Sequence, residues 1–432
     1  MPVRIEPSLI GTVPLHALVV AVALFAVTVP IALRFANREG QRWLLPLVLG
    51  SLALHFLGSA MQIAVVRAFY SNVADFHLYD GQGAALSEGW HHGIWTVPDL
   101  ELPGTGTVSI ITGLVYALVG VDQLGGFLVF SWFSLLGLMA FYRAFRIALP
   151  DAQHGRYAVL IFLLPSLWYW PSAAGKEAVM LLALGLMTLG AAHLLRSRWW
   201  GLVSLLGGSL LGALIRPHEV ALVFGSFAVA AVTRRVARRT LATPVWRVAA
   251  LLLVLVGGGV LAIVTARFLG ITGFDSASIA HAINGANQGL QGEGEGYGSS
   301  HSTWSINPLY FPVDVYIVLF LPLPFQVASA TQAIAALENL SILALIAYSW
   351  RSVVSVPRQL RESPFVVMCL IYAIGFLYLF AALGNVGLLA RERTLLFPFL
   401  FVLLALPTAK RRDRPRRLRR GRHDWRVPAL LR

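Results

Sequence analysis

The chain has 432 residues, of which 57% are hydrophobic and only 12% charged, with a net charge of +14 and a mean hydropathy of +0.72. A soluble domain carries roughly twice that fraction of charge, so a water-soluble globular fold is excluded. The apolar runs are about 15–24 residues long, which excludes the ten-residue alternating strands of a membrane barrel and leaves transmembrane helices.

In chain order, spans are expected near 12–33, 43–66, 124–142, 157–171, 178–195, 199–215, 218–233, 246–266, 332–350, 364–384 and 394–408. The first run lacks a small-residue cleavage pattern and reads as a retained helix. Two further apolar stretches, 107–121 and 309–325, adjoin long loops and contain Gly or Pro. They read as re-entrant or interfacial elements. With those two not crossing, the clusters Arg34/Arg38/Arg42, Arg143/Arg146/Arg156, Arg196/Arg198, Arg234/Arg235/Arg238/Arg239 and Arg351/Arg358/Arg361 fall on one side. Basic loops mark the cytoplasmic side. The expectation is an all-α polytopic fold of about eleven spans over 1–408, with an outside N-terminus and an inside C-terminus. The segment 409–432 is a basic cytoplasmic tail. It reads as a topology anchor or an anionic-lipid contact, not a nucleic-acid site. The single cysteine, Cys369, excludes an intrachain disulfide and makes a cysteine-built metal site unexpected. No internal repeat is visible, which counts against inverted-repeat transporters.

The opposite side collects two long loops, about 67–106 and 267–312. The second, "GANQGLQGEGEGYGSSHSTW", is rich in Gly and Ser and reads either as a segment that orders over a ligand or as a plain linker. The first opens with "ADFHLYDGQGA". On a helix, Asp75, Tyr79 and Gly83 are spaced i, i+4, i+8 and share a face, with Asp80 pointing elsewhere. A carboxylate there can take a proton from an attacking hydroxyl or orient it. The alternative is an acidic helix cap with an interfacial tyrosine. The adjacent His91 and His92 have no partner at metal-ligand spacing.

Three later clusters fall on the same side. In "PSLWYWPSAAGKEAVMLL", Lys176 and Glu177 open a helix, where backbone N–H groups and the ammonium would meet an anion together with Ser172; the alternative is a Lys176–Glu177 pair with the lysine snorkelling to headgroups. In "LIRPHEVAL", Arg216, His218 and Glu219 interrupt a long apolar stretch. Charges at such depth face a cavity or one another. Arg216 can grip a phosphate bidentately, or close an internal Arg–Glu pair. In "NVGLLARERTLLFPFLF", Arg391 and Arg393 precede the last span, against the inside-positive bias.

These residues resemble the pattern of the GT-C superfamily of membrane glycosyltransferases, which use polyprenyl-phosphate or polyprenyl-diphosphate sugars. The family's Asp…Tyr…small pattern in an early extracytoplasmic loop is similar to Asp75, Tyr79 and Gly83. Its "Pro-Ser…Trp-x-Ser…Gly-Lys-Asp/Glu" segment resembles Pro165-Ser166 through Lys176-Glu177, and its arginines near outer helix ends resemble Arg216, Arg391 and Arg393. The chain departs in having Phe76 after Asp75 where paired acids are common, and in placing the loop after its second apolar run. Metal use and acceptor class therefore stay open, with a divalent metal allowed and no cofactor assigned with certainty.

The resemblance implies inverting sugar transfer to an extracytoplasmic glycan or lipid acceptor. It implies Asp75 as the base and Tyr79, Lys176, Glu177, Arg216, His218, Arg391 and Arg393 as substrate-binding residues, the cations stabilising the leaving phosphate. The implied location is the plasma membrane of a bacterium, and the high Arg-to-Lys ratio suits a GC-rich genome. The competing expectations are a lipid-linked glycan transporter or flippase, a repeat-unit polymerase and a non-catalytic scaffold.

Overall fold

The computed structural model describes residues 15–70, 72, 74–95, 100, 102–233, 259, 308–327, 330–381 and 386–407, and among these the regular structure is helical with no strand. The expected basic cluster Arg234/Arg235/Arg238/Arg239, the expected span at 246–266 (apart from Gly259), the glycine-rich loop up to 307 and the basic tail at 409–432 lie outside the described residues.

Among the described residues four helices are long and apolar enough to cross a membrane, or five if a bent pair in 335–362 is one span: α1 (Leu15–Glu39), α2 (Leu44–Phe69), α5 (Gln123–Ala148) and α8 (Lys176–Leu195) stand alone. Shorter apolar helices are α4 (Thr105–Val119), α9 (Gly201–Ala213), α10 (Pro217–Thr233), α11 (Phe311–Phe320) and α14 (Pro364–Phe380). The remaining helices are α3 (Phe76–His91), α6 (His154–Leu163), α7 (Pro165–Tyr169), α12 (Ala330–Tyr348), α13 (Trp350–Glu362), α15 (Val386–Glu392) and α16 (Phe397–Leu404).

The centre of the molecule is the crossing of α5 and α8. A Cβ built on Gly137 would lie 2.4 Å from the Leu181 carbonyl oxygen, and one on Gly185 would lie 2.4 Å from the Gly137 carbonyl oxygen. The two backbones touch, as small residues permit where lipid supplies no hydrophobic drive between helices. Around this crossing Phe127, Phe130, Phe141, Tyr142 and Phe145 of α5 are fully buried, and Phe376 of α14 and Phe401 of α16 belong to the same core.

Polar contacts define two ends. At one, Arg146 of α5 bonds Glu39 of α1 (3.1 Å), Arg196 donates to the Ala148 carbonyl (2.8 Å), and Gln153 donates to the Leu406 carbonyl (2.8 Å). At the other lie Asp75, the start of α8, the α9–α10 turn and the end of α15. The hairpin α3–α4 belongs wholly to this second end. Thr107 near the start of α4 donates to the Leu214 carbonyl (2.6 Å), and Gly120 after its end sits by His16 at the start of α1.

The stretch expected as one span over 157–171 is broken. Leu164 is extended (φ −63°, ψ 130°) because the residue before Pro165 is pushed out of the helical region. Helix α11 is only ten residues long and its end is held by Asn339, which donates to the Phe320 and Pro322 carbonyls (3.1 and 3.0 Å) about halfway along α12. Ten helical residues cover about 15 Å, half a bilayer core. After Tyr348 the chain bends by 65° at Ser349 into α13, a helix the apolar pattern did not suggest.

Candidate functional site

Asp75 opens α3 with helical dihedrals of its own (φ −55°, ψ −34°) and makes no capping bond. Its side chain is 60% exposed and accepts a hydrogen bond from Arg391 Nη1 at 2.8 Å. The helix-cap alternative is therefore not what the carboxylate does. Arg391 Nε lies 2.9 Å from Glu177 Oε1, an ion pair without hydrogen-bond alignment. Arg216 Nη2 donates to the same Glu177 oxygen at 2.9 Å. Arg216 then grips both oxygens of Glu392 through Nη1 and Nη2. The result is a linear chain of alternating charge, Asp75–Arg391–Glu177–Arg216–Glu392, exposed at Asp75 and buried at Glu177, Arg216 and Glu392.

Helix positions explain the convergence. Glu177 lies in the first turn of α8, where a carboxylate is favoured by the helix dipole. Arg216 sits in the turn before Pro217, its side chain reaching across to α8 and α15. The expected internal Arg216–Glu219 pair does not form. Glu219 instead accepts from Tyr372 of α14 at 2.7 Å, and its other oxygen is buried without a hydrogen bond. Nor does Glu177 pair with Lys176: the ammonium takes no ion pair among the described residues. It is half-buried beside an α8 N-terminus whose cap, Gly175, has no side chain to satisfy the first N–H groups. With Lys176 added, three positive groups face three negative ones, so the cluster is neutral overall.

Tyr79, one turn beyond Asp75, is buried, and burial pushes its phenol up to about 12, with the charge of Glu177 adding to the effect. It stays a proton donor at physiological pH. Gly83 serves packing: a Cβ there would lie 2.6 Å from Thr112 Cγ2 of α4, so its missing side chain lets α3 and α4 close up. Ser172 is buried and spends its hydroxyl on the Trp168 carbonyl against α2, so it is turned away from any anion at Lys176.

Two residues of the expected set stand outside the charged chain. His218 sets its ring beside Phe380, centroids 6.2 Å apart, and lies near enough to Arg216 and Lys176 to feel their charge. Arg393 leaves α15 on the side opposite Arg391. It is fully buried, donates from Nη1 to the Leu319 carbonyl at 3.3 Å, lies over the Phe397 ring at 5.9 Å, and keeps Nε and Nη2 without a hydrogen-bond partner.

Sequence reading missed Glu392, the inner end of the charged chain. The signal was the run Arg391-Glu392-Arg393, three alternating charges before an apolar helix. It also missed Glu338, which accepts from Ser166 N (2.9 Å) and Oγ, and Asp314, which is buried with neither oxygen hydrogen-bonded. Asp80, set aside because it points off the Asp75 face, has its own cluster. Tyr116 and Gln123 (3.3 Å) donate to it and His77 stands 3.5 Å from Gln123. Burial pushes Asp80 up, its hydrogen bonds pulling back, and burial pushes His77 down. Among the described residues no group of three or more His, Cys, Asp or Glu is placed to hold a metal.

Fold and site together define a helical protein with helices able to cross a membrane and a buried ionic chain that surfaces at one end of the bundle. No family model matches the chain, and no match is found among curated proteins or solved structures.

Proposed function

We propose that the chain is an integral membrane glycosyltransferase that moves a sugar from a polyprenyl-phosphate or polyprenyl-diphosphate donor to a glycan or lipid acceptor. The observation that supports this reading most is the placement of Asp75: an exposed carboxylate at the open end of an ionic chain that runs through Arg391 to the buried Arg216, one helical turn before Tyr79. In this scheme the acceptor hydroxyl gives its proton to Asp75 and its oxygen forms the new bond to the anomeric carbon. The bond from that carbon to the phosphate oxygen breaks, its electron pair leaves with the phosphate, and the configuration inverts.

The neutrality of the cluster sets a condition. A carboxylate held by a guanidinium is a weak base, and Arg391 holds Asp75. A donor phosphate that draws Arg391 to itself frees Asp75 to take a proton. Lys176 and the uncapped start of α8 supply positive charge that no carboxylate has claimed, and Arg393 is a second such cation deeper in the bundle. The layout that goes with the reading is about eleven spans with 107–121 and 309–325 not crossing. The site then lies on the extracytoplasmic side of a bacterial plasma membrane. The family in view is GT-C, and any divalent metal would arrive with the donor.

A second reading, a carrier for lipid-linked glycans, gains from the same ion pair, because a carboxylate locked to Arg391 acts as a latch and need not be a base. Purified protein given a panel of polyprenyl-phosphate sugars and acceptors separates the two. Transfer by the wild type that is lost in Asp75→Asn, with donor binding retained, is the expected result. Equal turnover in both forms removes Asp75 as the base. Donor that crosses vesicles unchanged, with Asp75→Asn indifferent, moves the assignment to the carrier.

A further inference from the structure

Helix α13 is joined to α12 across the 65° bend, the two together being apolar enough for a broken span or a re-entrant element, and its surface is divided into three. At about 100° per residue, Ser352, Ser355 and Gln359 fall on one arc. This arc faces the protein: Ser352 and Gln359 are buried, Ser352 Oγ donates to the Leu406 carbonyl (3.1 Å), and Gln153 donates to Ser352 Oγ (3.1 Å). A second arc carries Val356 and Leu360, packed at its edge against the core, and then Trp350, Val353, Val354 and Pro357, which the protein leaves uncovered. Trp350 is 58% exposed and Val354 69%. Arg361 falls within that arc, between Trp350 and Val354 but in the last turn of the helix, and Arg358 and Arg351 follow on the next. Glu362 is the only acid on the helix and pairs with Arg358 at 3.1 Å.

The placement matches the pattern. The 65° bend turns α13 away from the axis of α12 at the end of the bundle that carries Arg143, Arg146, Arg156 and Arg196. Two guanidiniums there already lie over exposed aromatic rings, Arg156 over Tyr348 at 4.7 Å and Arg351 over Trp350 at 5.7 Å. An uncovered apolar strip bordered by arginines suits a helix lying in the membrane plane, its strip among acyl chains and its cations among headgroups.

We infer that α13 is an anionic-phospholipid binding site, with Arg351, Arg358 and Arg361 gripping the phosphates of one leaflet while Trp350, Val353, Val354 and Pro357 enter its acyl region. The inference rests on the chain being membrane-integral and not on the transferase reading. The three arginines exceed the one glutamate by two charges, so the site favours an anionic lipid over a zwitterionic one. A soluble protein partner would need the same strip to stand in water.

The test uses the full chain in nanodiscs of phosphatidylcholine with a quarter phosphatidylglycerol. Spin-labelled forms of each lipid report which associates with the protein. Phosphatidylglycerol is expected to be enriched over phosphatidylcholine by at least about twofold, and the enrichment is expected to fall in the triple variant Arg351→Gln, Arg358→Gln, Arg361→Gln. All three side chains are exposed, so the fold should survive, and an unchanged melting curve verifies it. A nitroxide on Val354→Cys reads depth, with the native Cys369 buried and unreactive. It should be quenched by oxygen and shielded from a water-soluble nickel chelate. No enrichment in the wild type, or equal enrichment in both proteins, overturns the headgroup assignment. Quenching of the Val354 label by nickel overturns the membrane placement and points to a protein partner.

Discussion

At the scale of single residues, the two ends of the ionic chain should behave differently. Arg216 is buried between two buried carboxylates, and its removal takes from Glu392 its ion-pair partner. Breaking such a pair from one side costs about 3–5 kcal/mol, so Arg216→Met should unfold at markedly lower temperature in detergent. Replacing both members, Arg216→Met with Glu392→Leu, should restore much of the loss, because no unpaired charge then remains at that step. Asp75 is exposed, and its bond to Arg391 is of the surface kind, worth about 0–1 kcal/mol. Asp75→Asn should therefore melt close to wild type, which makes it a clean variant for activity. Asp80 gives a pH dependence. Burial raises its value in the folded protein above the ordinary 3.8, so the protonated form is favoured by folding. The stability this contributes is complete below the unfolded value and is lost as pH rises through the native one. As pH rises above about 4 and through the raised native value, the wild type should lose ground against Asp80→Asn. Paired melting curves across that range measure it, and the difference between the two proteins removes most other titrations. The neighbouring charges that act on Asp80 are His77, which lowers its value, and Asp122, which raises it. A constant gap would mean that Asp80 keeps its charge on folding at no cost.

Elements are joined by features of two kinds, and only one kind could be read beforehand. Helix α5 meets α8 through Gly137 and Gly185, backbone on backbone. Gly137→Val would place two methyls where the Leu181 carbonyl stands, so the helices must part. Overpacking of this kind costs about 1–3 kcal/mol or more, and the variant should show reduced yield of monodisperse protein on size exclusion. Gly207, whose Cβ would meet nothing within 4 Å, supplies the control. Long apolar runs located α1, α2, α5 and α8, with the ends of α1 and α5 six residues beyond the expected ones, because burial in lipid demands length and apolarity alone. The break at Leu164 was written in Pro165 but outweighed by the hydropathy around it. Helix α13 escaped because its mean apolarity is low and its period is that of a surface helix. At the site, the types of residue were legible and the pairings were not. Asp75 and Arg391 are 316 positions apart, and nothing local says that Arg391 will turn to Asp75 while Arg393, two residues on, turns to Leu319. Glu392 was overlooked because it stands between two arginines and reads as their local neutraliser, whereas it neutralises Arg216 from another helix.

For the whole molecule, the contacts sort charge into two ends, and this makes orientation testable without any substrate. The end with Glu39, Arg146 and Arg196 is rich in arginine held by backbone carbonyls and one acid. The end with Asp75, Glu177 and Glu392 balances each arginine of its cluster with a carboxylate. Positive loops stay in the cytoplasm during insertion, and it is Lys and Arg that decide while acids contribute little. The first end should therefore be cytoplasmic. The α3–α4 hairpin lies wholly at the second end, so His92 after α3 should face outward, while Asp151 between α5 and α6 should face inward. Both are exposed, and Cys369 is buried, so single cysteines introduced at these positions report without background. A membrane-impermeant maleimide should label His92→Cys in intact spheroplasts and Asp151→Cys only after permeabilisation. The converse pattern would put the ionic chain on the cytoplasmic face, where nucleotide-activated sugars are at hand, and would remove the reason for a lipid-linked donor. Labelling of both from outside would mean that α5 does not cross, or that α4 crosses as well. The orientation experiment thus decides which donor pool Asp75 can reach before any transfer assay is attempted.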